Sequence, residues 1–157
     1  MEPNSTFPTS PLSSSTIDLI SNETIKYNTG ILINSTEFTE VCHYSRNIIT
    51  HKPYKMLDIR LTIPFTSNDT EGSRSRILLY LDDELLCDGT IYNPIAWVLR
   101  PIHLIGQVFN TKPGEHKLIL KCCVNKGTLN IPHININCIE YTKEPKISGK
   151  LVVIGYN

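Results

Sequence analysis

The side chains best suited to chemistry in this chain are five histidines, five cysteines and a short run of carboxylates. We begin with the histidines. No histidine is two or four residues from another, and that is the spacing which places two imidazoles on one metal ion. The histidines therefore do not predict a zinc site. They are His43, His51, His103, His116 and His133.

Four carboxylates, Asp82, Asp83, Glu84 and Asp88, lie close enough in sequence to suggest calcium, because hard cations prefer several oxygen ligands from one loop. Their spacing does not match an EF-hand loop. A tight turn at Asp82-Asp83 and a further turn at Asp88-Gly89 explain these residues without an ion. We expect two turns here and no bound metal or other cofactor.

The cysteines are odd in number and lack the spacing of a disulfide framework. Such cysteines are more often small buried apolar residues than bridges, and they fit a reducing compartment. Cys122 and Cys123 are adjacent, and in a strand their sulfurs point to opposite faces. We expect one of these two thiols in the core and the other outside it.

No GxSxG motif marks a nucleophile, so the sequence does not predict a hydrolase. A patch for a sugar or an anion is a second possibility, because guanidinium groups and aromatic rings suit both ligands. Arg74, Arg76 and Tyr92 are the residues that we predict in such a ligand-binding loop. Trp97 lies in an apolar run, and we expect it in the core.

The elements that must position these residues are strands. Between positions 56 and 65, five apolar side chains alternate with a largely polar set, which fits a strand with one buried face and does not fit a helix. The apolar residues are Leu57, Ile59, Leu61, Ile63 and Phe65. The last residues, 150–157, predict a closing strand.

Residues 113–131 give the fullest local pattern in the chain. Four apolar residues there share one side of a two-residue repeat: Leu118, Leu120, Cys122 and Val124. Residues 125–127 tolerate positive φ, and the apolar pattern then resumes, so we predict a hairpin. Ile119 and Cys123 fall on the nominally outward face of its first strand. We predict that they contact another chain.

Eight to ten candidate strands and no convincing amphipathic helix predict a single all-β domain, an antiparallel two-sheet β-sandwich, over residues 22–157. Within it, residues 42–55 are interpreted as a loop, and residues 94–109 as two strands with a bend or a sheet edge at Pro101. Residues 1–21 hold three prolines and few apolar positions. They predict a flexible arm that docks to a neighbouring structural protein.

The chain has 157 residues, and its fifteen basic residues balance fifteen acidic ones. We do not expect nucleic acid as a partner, because proteins that bind it usually carry an excess of positive charge. Zero net charge also removes the long-range repulsion that opposes self-association. No apolar run reaches the length of a transmembrane segment, and no secretory signal peptide is evident. We expect a location in a virion or an intracellular assembly.

Four stretches together resemble a known family: SRSRILLYLDDELL, WVLRPIHLIGQVF, PGEHKLILKCCVNKGTLNI and LVVIGYN. They are similar to the compact jelly-roll heads related to the tumour-necrosis-factor and C1q domains, which also occur in virion spike, fibre and capsid proteins. The resemblance covers roughly residues 25–157. It implies a two-sheet jelly roll, usually trimeric, with flat apolar flanks around a threefold axis, and it implies no catalysis.

These observations predict a non-enzymatic structural or attachment protein. Its jelly roll is expected to self-associate, as a trimer, in a larger assembly such as a virion. A carbohydrate-binding module is the alternative, with a glycan bound near Arg74, Arg76 and Tyr92. An enzyme that uses metal-bound histidines in a jelly-roll cavity, as cupins do, ranks third because the histidine spacing is wrong.

Overall fold

The computed structural model describes residues 16–25, 31–67, 73–93, 100–131 and 149–157. Four predictions fall wholly or partly outside these residues: the arm before residue 16, the first of the two strands over residues 94–109, the core position of Trp97, and a strand near residues 132–141. One short 3-10 helix, Cys42–Tyr44, accompanies the strands. The strands are β1 Ile17–Ile25, β2 Ile31–Ile33, β3 Thr39–Glu40, β4 Arg46–Thr50, β5 Tyr54–Ser67, β6 Ser73–Leu81, β7 Glu84–Asn93, β8 Arg100–Thr111, β9 Gly114–Val124, β10 Leu129–Ile131 and β11 Gly149–Tyr156.

Eight of these strands form two antiparallel four-stranded arrays. The first sheet has the order β1-β11-β5-β8, and the second has the order β4-β9-β6-β7. Along the chain these strands alternate between the sheets, except that β6 and β7 are consecutive in the second. This is the strand order of a jelly roll. The predicted fold class, a two-sheet β-sandwich of the jelly-roll type, is confirmed.

Three short strands extend the sheets. The second sheet gains β3, which pairs with β9, and the first gains β10, which pairs with the end of β5 and with β2. One hydrophobic core fills the space between the sheets. The alternating residues of β5 that were predicted to be buried, and those of β9, all lie in this core.

The turn predicted at Asp82-Asp83 is present and joins β6 to β7. Both residues have positive φ, 48° and 67°, which is the geometry of a two-residue hairpin turn and one that aspartate tolerates. The second predicted turn, at Asp88-Gly89, is wrong, because β7 runs through both residues. Gly89 instead leaves room for Leu104 of the opposite sheet, whose Cδ2 would lie 3.3 Å from an added Cβ.

The hairpin predicted at residues 125–127 is also wrong. After β9 the chain crosses to the other sheet, where β10 pairs with β2 and β5. Gly127, with φ 69°, permits the change of direction. Leu129 and Ile131 are buried in the same core as β9. The apolar pattern therefore located the strand correctly but could not say which sheet receives it.

Two further predictions need correction. Residues 42–55 are not wholly a loop, because they contain β4, whose Ile48 is buried against the core and which pairs with β9. The described residues show no bend at Pro101, since β8 is continuous from Arg100 to Thr111 and Pro101 lies opposite Pro64, whereas residues 94–99 lie outside them. The other alternative, a sheet edge at Pro101, agrees with the strand pairing of the described residues. In the described residues β8 pairs only with β5, and a strand at a sheet edge tolerates a missing donor.

The folded domain already includes Ile17, ahead of the predicted boundary at residue 22. Its strand β1 pairs along β11, and the Asp18 carboxylate accepts a hydrogen bond from Tyr54 Oη at 2.9 Å. Lys52 Nζ lies 2.7 Å from the same oxygen, and its hydrogen bond, followed by that of Tyr54, lowers the pKa of Asp18. Residues 1–15 lie outside the described residues, so a flexible arm there stays a prediction.

Candidate functional site

The five residues predicted to form an interface or a ligand site come together on one surface. We call this surface the arginine face: the outward side of the second sheet around Arg74, Arg76, Tyr92, Ile119 and Cys123. Arg74 lies opposite Tyr92, and Arg76 lies opposite Cys123. The residues predicted in a loop therefore lie in the strands β6 and β7. They share a face with the predicted interface residues of β9.

The Arg76 guanidinium is already partnered on this face. Its Nη2 lies 2.7 Å from Asp88 Oδ2, and its Cζ lies 5.4 Å from the centre of the Phe38 ring. The Asp88 hydrogen bond raises the pKa of Arg76 above its ordinary value. Arg76 is therefore a neutralised part of the surface, held between a carboxylate and a ring.

Arg74 differs, because the structure gives it no carboxylate partner among the described residues. Its Cζ lies 5.9 Å from the centre of the Tyr92 ring, and that ring is 56% exposed. The backbone of Arg74 is fixed by Asn125, through N–H to Oδ1 at 2.7 Å and, from Asn125 N–H to the Arg74 carbonyl, at 2.9 Å. An accessible cation and aromatic ring on a rigid strand can bind an anion or a sugar ring.

Ile119 and Cys123 are only half-buried on the arginine face. Ile119 lies opposite Tyr80, whose ring is 5.2 Å from Lys121 Nζ. Charged side chains lie among the apolar ones on the arginine face, so this face is not a continuous apolar surface. Whether another chain covers Ile119 and Cys123 stays a prediction.

The neighbouring cysteine behaves as predicted. Cys122 is completely buried in the core, while Cys123 lies on the outer side of the same strand. Burial, with a smaller contribution from Cys123, raises the pKa of the Cys122 thiol to about 12, so this thiol stays protonated at neutral pH. The four cysteines in the described part of the chain form no disulfide.

A second surface was not predicted. We call it the apolar face: the outward side of the first sheet, formed by Ile17, Leu19, Met56, Ile105, Phe109, Val152, Ile154 and Tyr156. Ile17, Tyr156, Met56 and Phe109 form one row across all four strands. The exposed fractions of Ile17, Leu19, Ile105 and Phe109 are 65%, 63%, 53% and 63%. Polar residues, among them Gln107 on β8 and Arg60 on β5, lie on the same side of the sheet, so the apolar side chains form a group and not an unbroken surface. Large apolar side chains grouped and exposed on one sheet face are typical of an interaction site.

The signal for this face is present in the sequence. In residues 151–156 apolar residues occupy both sides of the two-residue repeat, and in residues 102–109 the outward side carries Ile105 and Phe109 together with His103 and Gln107. A strand that is apolar on both sides is expected to be covered on both sides.

An ion pair with a buried carboxylate and an exposed guanidinium lies within the apolar face. Asp58 points outward from β5 but is only 2% exposed, and its Oδ2 accepts a hydrogen bond from Arg60 Nε at 2.9 Å. The other carboxylate oxygen, Oδ1, has no hydrogen-bond partner in the described part of the chain. Arg60 is 59% exposed in its side chain. The pair gives the face no net charge.

The carboxylate cluster considered for calcium holds a histidine instead. Asp82 Oδ2 lies 2.6 Å from His116 Nδ1, and Asp82 Oδ1 accepts the Lys117 backbone N–H at 2.7 Å. His116 Nε2 lies 2.8 Å from the Lys112 carbonyl oxygen. Within the described residues no group of three or more His, Cys, Asp or Glu side chains could hold a metal ion. The hydrogen bonds of Asp82 to His116 and Lys117 connect the β6–β7 turn to β9.

The Thr50 hydroxyl is the one other group near this histidine that could suggest chemistry. It lies 3.3 Å from His116 Nε2, so Asp82, His116 and Thr50 superficially have the order of an acid, a base and a nucleophile. Thr50 is, however, 3% exposed, and its hydroxyl lies 3.1 Å from the Lys112 carbonyl oxygen. A nucleophile must reach its substrate, and this hydroxyl faces backbone carbonyl groups.

Comparison with known proteins gives structural similarity without a family. No family model matches the chain, and no curated protein sequence matches it. The VP2 subviral particle of infectious bursal disease virus is similar over 91% of this chain and 38% of that one, with a TM-score of 0.48 and 12% identity. This chain thus spans well under half of the viral protein.

Carbohydrate-binding modules are also similar. The module CBM6cm-2 of Cellvibrio mixtus lichenase 5A, solved with cellotriose, matches over 88% of both chains, with a TM-score of 0.35 and 14% identity. Latent PorU of Porphyromonas gingivalis matches over 88% of this chain and 13% of that one, with a TM-score of 0.36 and 10% identity.

None of the described segments forms a helix of the length and apolarity that a membrane crossing demands.

Proposed function

We propose that this chain is a non-enzymatic structural subunit, a jelly roll that self-associates within a larger assembly. The observation that carries this proposal is the apolar face, where β1 and β8 expose four large apolar side chains on either side of half-buried apolar residues of β11 and β5. Leaving such a surface in water costs about 25 cal/mol for each Å² that a partner could cover. The zero net charge of the chain adds no long-range repulsion between copies.

The finer features of this proposal come from the sequence. The resemblance to tumour-necrosis-factor and C1q heads makes a trimer the expected oligomer and a virion the expected kind of assembly. The arm predicted over residues 1–21 would contact a neighbouring structural protein. These features remain predictions, and the strand order of the fold is compatible with them.

Sedimentation velocity on the purified chain, from low to high micromolar concentration, tests the proposal. We expect the mass to rise from that of the 17.8 kDa monomer toward a defined oligomer, because burial of the apolar face offsets the entropy of association. A strictly monomeric chain at every concentration would contradict self-association. Indefinite aggregation without a defined species would also contradict it, since a specific interface closes.

A carbohydrate-binding module is a second candidate, supported by one observation on the arginine face. Tyr92 exposes its ring beside an Arg74 guanidinium with no carboxylate partner among the described residues. A glycan array with the wild type and the Tyr92→Ala variant tests it. Binding that the substitution removes would support this function, and no signal from the wild type would argue against it.

A further inference from the structure

We propose that a cavity at one end of the sandwich binds the phosphate group of a small organic molecule. The cavity lies between the start of β5, the end of β8 and the end of β11, and its volume is about 360 Å³. None of the residues that line it belongs to the arginine face or to the apolar face. The proposal therefore concerns a separate site and does not depend on self-association.

The charge of the cavity comes from two lysines. Lys55 and Lys112 both line it, and both are exposed. Neither forms an ion pair with a carboxylate of the described residues. The described residues that line the cavity include no Asp or Glu. Two uncompensated ammonium groups at one concave site attract an anion, because the low-dielectric walls strengthen their field.

The nearest carboxylates do not cancel this charge. Asp18, which is bonded to the neighbouring Tyr54, forms an ion pair with Lys52 at 2.7 Å. Asp82 and Glu84 line a different cavity, on the other side of the turn between β8 and β9. Asp82 is already held by the hydrogen bonds to β9. With Glu84 counted, the two lysines still leave a positive balance.

A buried hydroxyl indicates a polar occupant independently of the lysines. Thr111 lines the cavity and is 6% exposed, and its hydroxyl oxygen has no hydrogen-bond partner in the described part of the chain. An unpaired buried hydroxyl is unfavourable, and native proteins keep such groups mainly where an ordered water or a ligand completes the hydrogen bond. Asn110 lines the same cavity, and its side-chain amide adds hydrogen-bond donors.

A phosphate monoester fits these features better than other anions. It carries a charge of about −1.5 to −2 at pH 7, which matches two ammonium groups, whereas a carboxylate matches only one of them. Lysine binds phosphate as a point charge and does not require the planar geometry that arginine imposes. Small-molecule pockets begin at roughly 300 Å³, so this cavity suits a body of the size of a monosaccharide. Pro53 supplies an apolar part of the wall.

A titration of the ¹⁵N-labelled full chain with glucose 6-phosphate, at low ionic strength, tests the proposal by NMR. We expect saturable shifts of the backbone amides of Asn110, Thr111 and Lys112. Lys55→Gln and Lys112→Gln should each weaken the affinity by about tenfold, because each removes a charge-assisted contact. The matched control is Lys150→Gln, which removes an exposed lysine at the other end of β11 and should bind as the wild type does.

Two further probes separate the phosphate from the rest of the molecule. Inorganic phosphate should shift the same amides, and glucose should not. Equal shifts with glucose, or an unchanged affinity in both folded lysine variants, would overturn the proposal. The absence of saturable shifts with both glucose 6-phosphate and inorganic phosphate would also overturn it. Each of these results leaves the proposed self-association untouched, since sedimentation measures it separately.

Discussion

Replacing Gly149 by alanine is expected to destabilise the fold by about 2–3 kcal/mol, a large effect for one added methyl group. Gly149 is the first residue of β11. A Cβ added at this position would lie 2.6 Å from Cε1 and 2.7 Å from Oη of Tyr44. Tyr44 is completely buried, so its ring has no free space into which it could move. The overlap therefore forces the backbone of β11 away from the core. Urea denaturation followed by tryptophan fluorescence or circular dichroism measures the change.

Gly89→Ala is the matched control for this prediction. Gly89 also lies in a strand, but the nearest atom to its added Cβ is the Cδ2 of Leu104, at 3.3 Å. The end of a leucine side chain can shift by a few tenths of an ångström, so the loss should be clearly smaller. Equal losses at the two glycines would show that strand propensity, and not contact with Tyr44, sets the cost.

Asp82→Asn is expected to destabilise the folded chain by about 1–2 kcal/mol at neutral pH. The asparagine oxygen can still accept the Lys117 N–H, and asparagine still tolerates the positive φ of this turn. Its neutral amide, however, replaces the charged carboxylate that now lies 2.6 Å from His116 Nδ1, so the charge-assisted character of this contact is lost. The contact between the β6–β7 turn and β9 is then weaker, although the Lys117 N–H hydrogen bond remains. Chemical denaturation at pH 7 measures the loss.

This loss should depend on pH. Burial acts to raise the pKa of Asp82, but the His116 hydrogen bond, the Lys117 N–H and the charge of His116 outweigh it and hold that pKa below 3.8. A carboxyl whose pKa is lowered by folding stabilises the fold above its unfolded pKa, and this stabilisation disappears as pH falls through the folded pKa. The difference between wild type and Asp82→Asn should therefore shrink below about pH 4.

Asp83→Asn provides the control, because Asp83 occupies the same turn and also has positive φ. It should change stability by less than about 0.5 kcal/mol at any pH. If Asp82→Asn and Asp83→Asn behaved alike, the contact with His116 would have no special role.

The sequence predicted correctly those features of the fold that depend on a few neighbouring residues. The alternation of Leu57, Ile59 and Leu61 can be used only by a strand with one buried face, and the Asp82-Asp83 turn needs residues that tolerate positive φ. The crossing after Gly127 is different. A hairpin and a change of sheet both bury Leu129, and the choice between them depends on strands that are distant in sequence.

For the candidate site, too, the local features could be predicted from the sequence and the long-range ones could not. The side of each strand on which Arg74, Arg76, Ile119 and Cys123 lie follows from the two-residue repeat, but their assembly into one face depends on β6 pairing with both β7 and β9. The apolar face depends on four strands that are far apart in the chain. Ile17 and Phe109 share a row only because β11 and β5 lie between them. No local pattern contains that arrangement.

The central claim is that this chain self-associates through the apolar face, and oxidative footprinting at rising protein concentration tests it most directly. Met56 and Tyr156 lie next to each other on this face and are oxidisable, while Tyr92 lies on the other sheet and serves as the internal reference. We predict that oxidation of Met56 and Tyr156 falls as the oligomer forms and that oxidation of Tyr92 does not. Unchanged oxidation of Met56 and Tyr156 in a sample whose mass has risen would contradict the account.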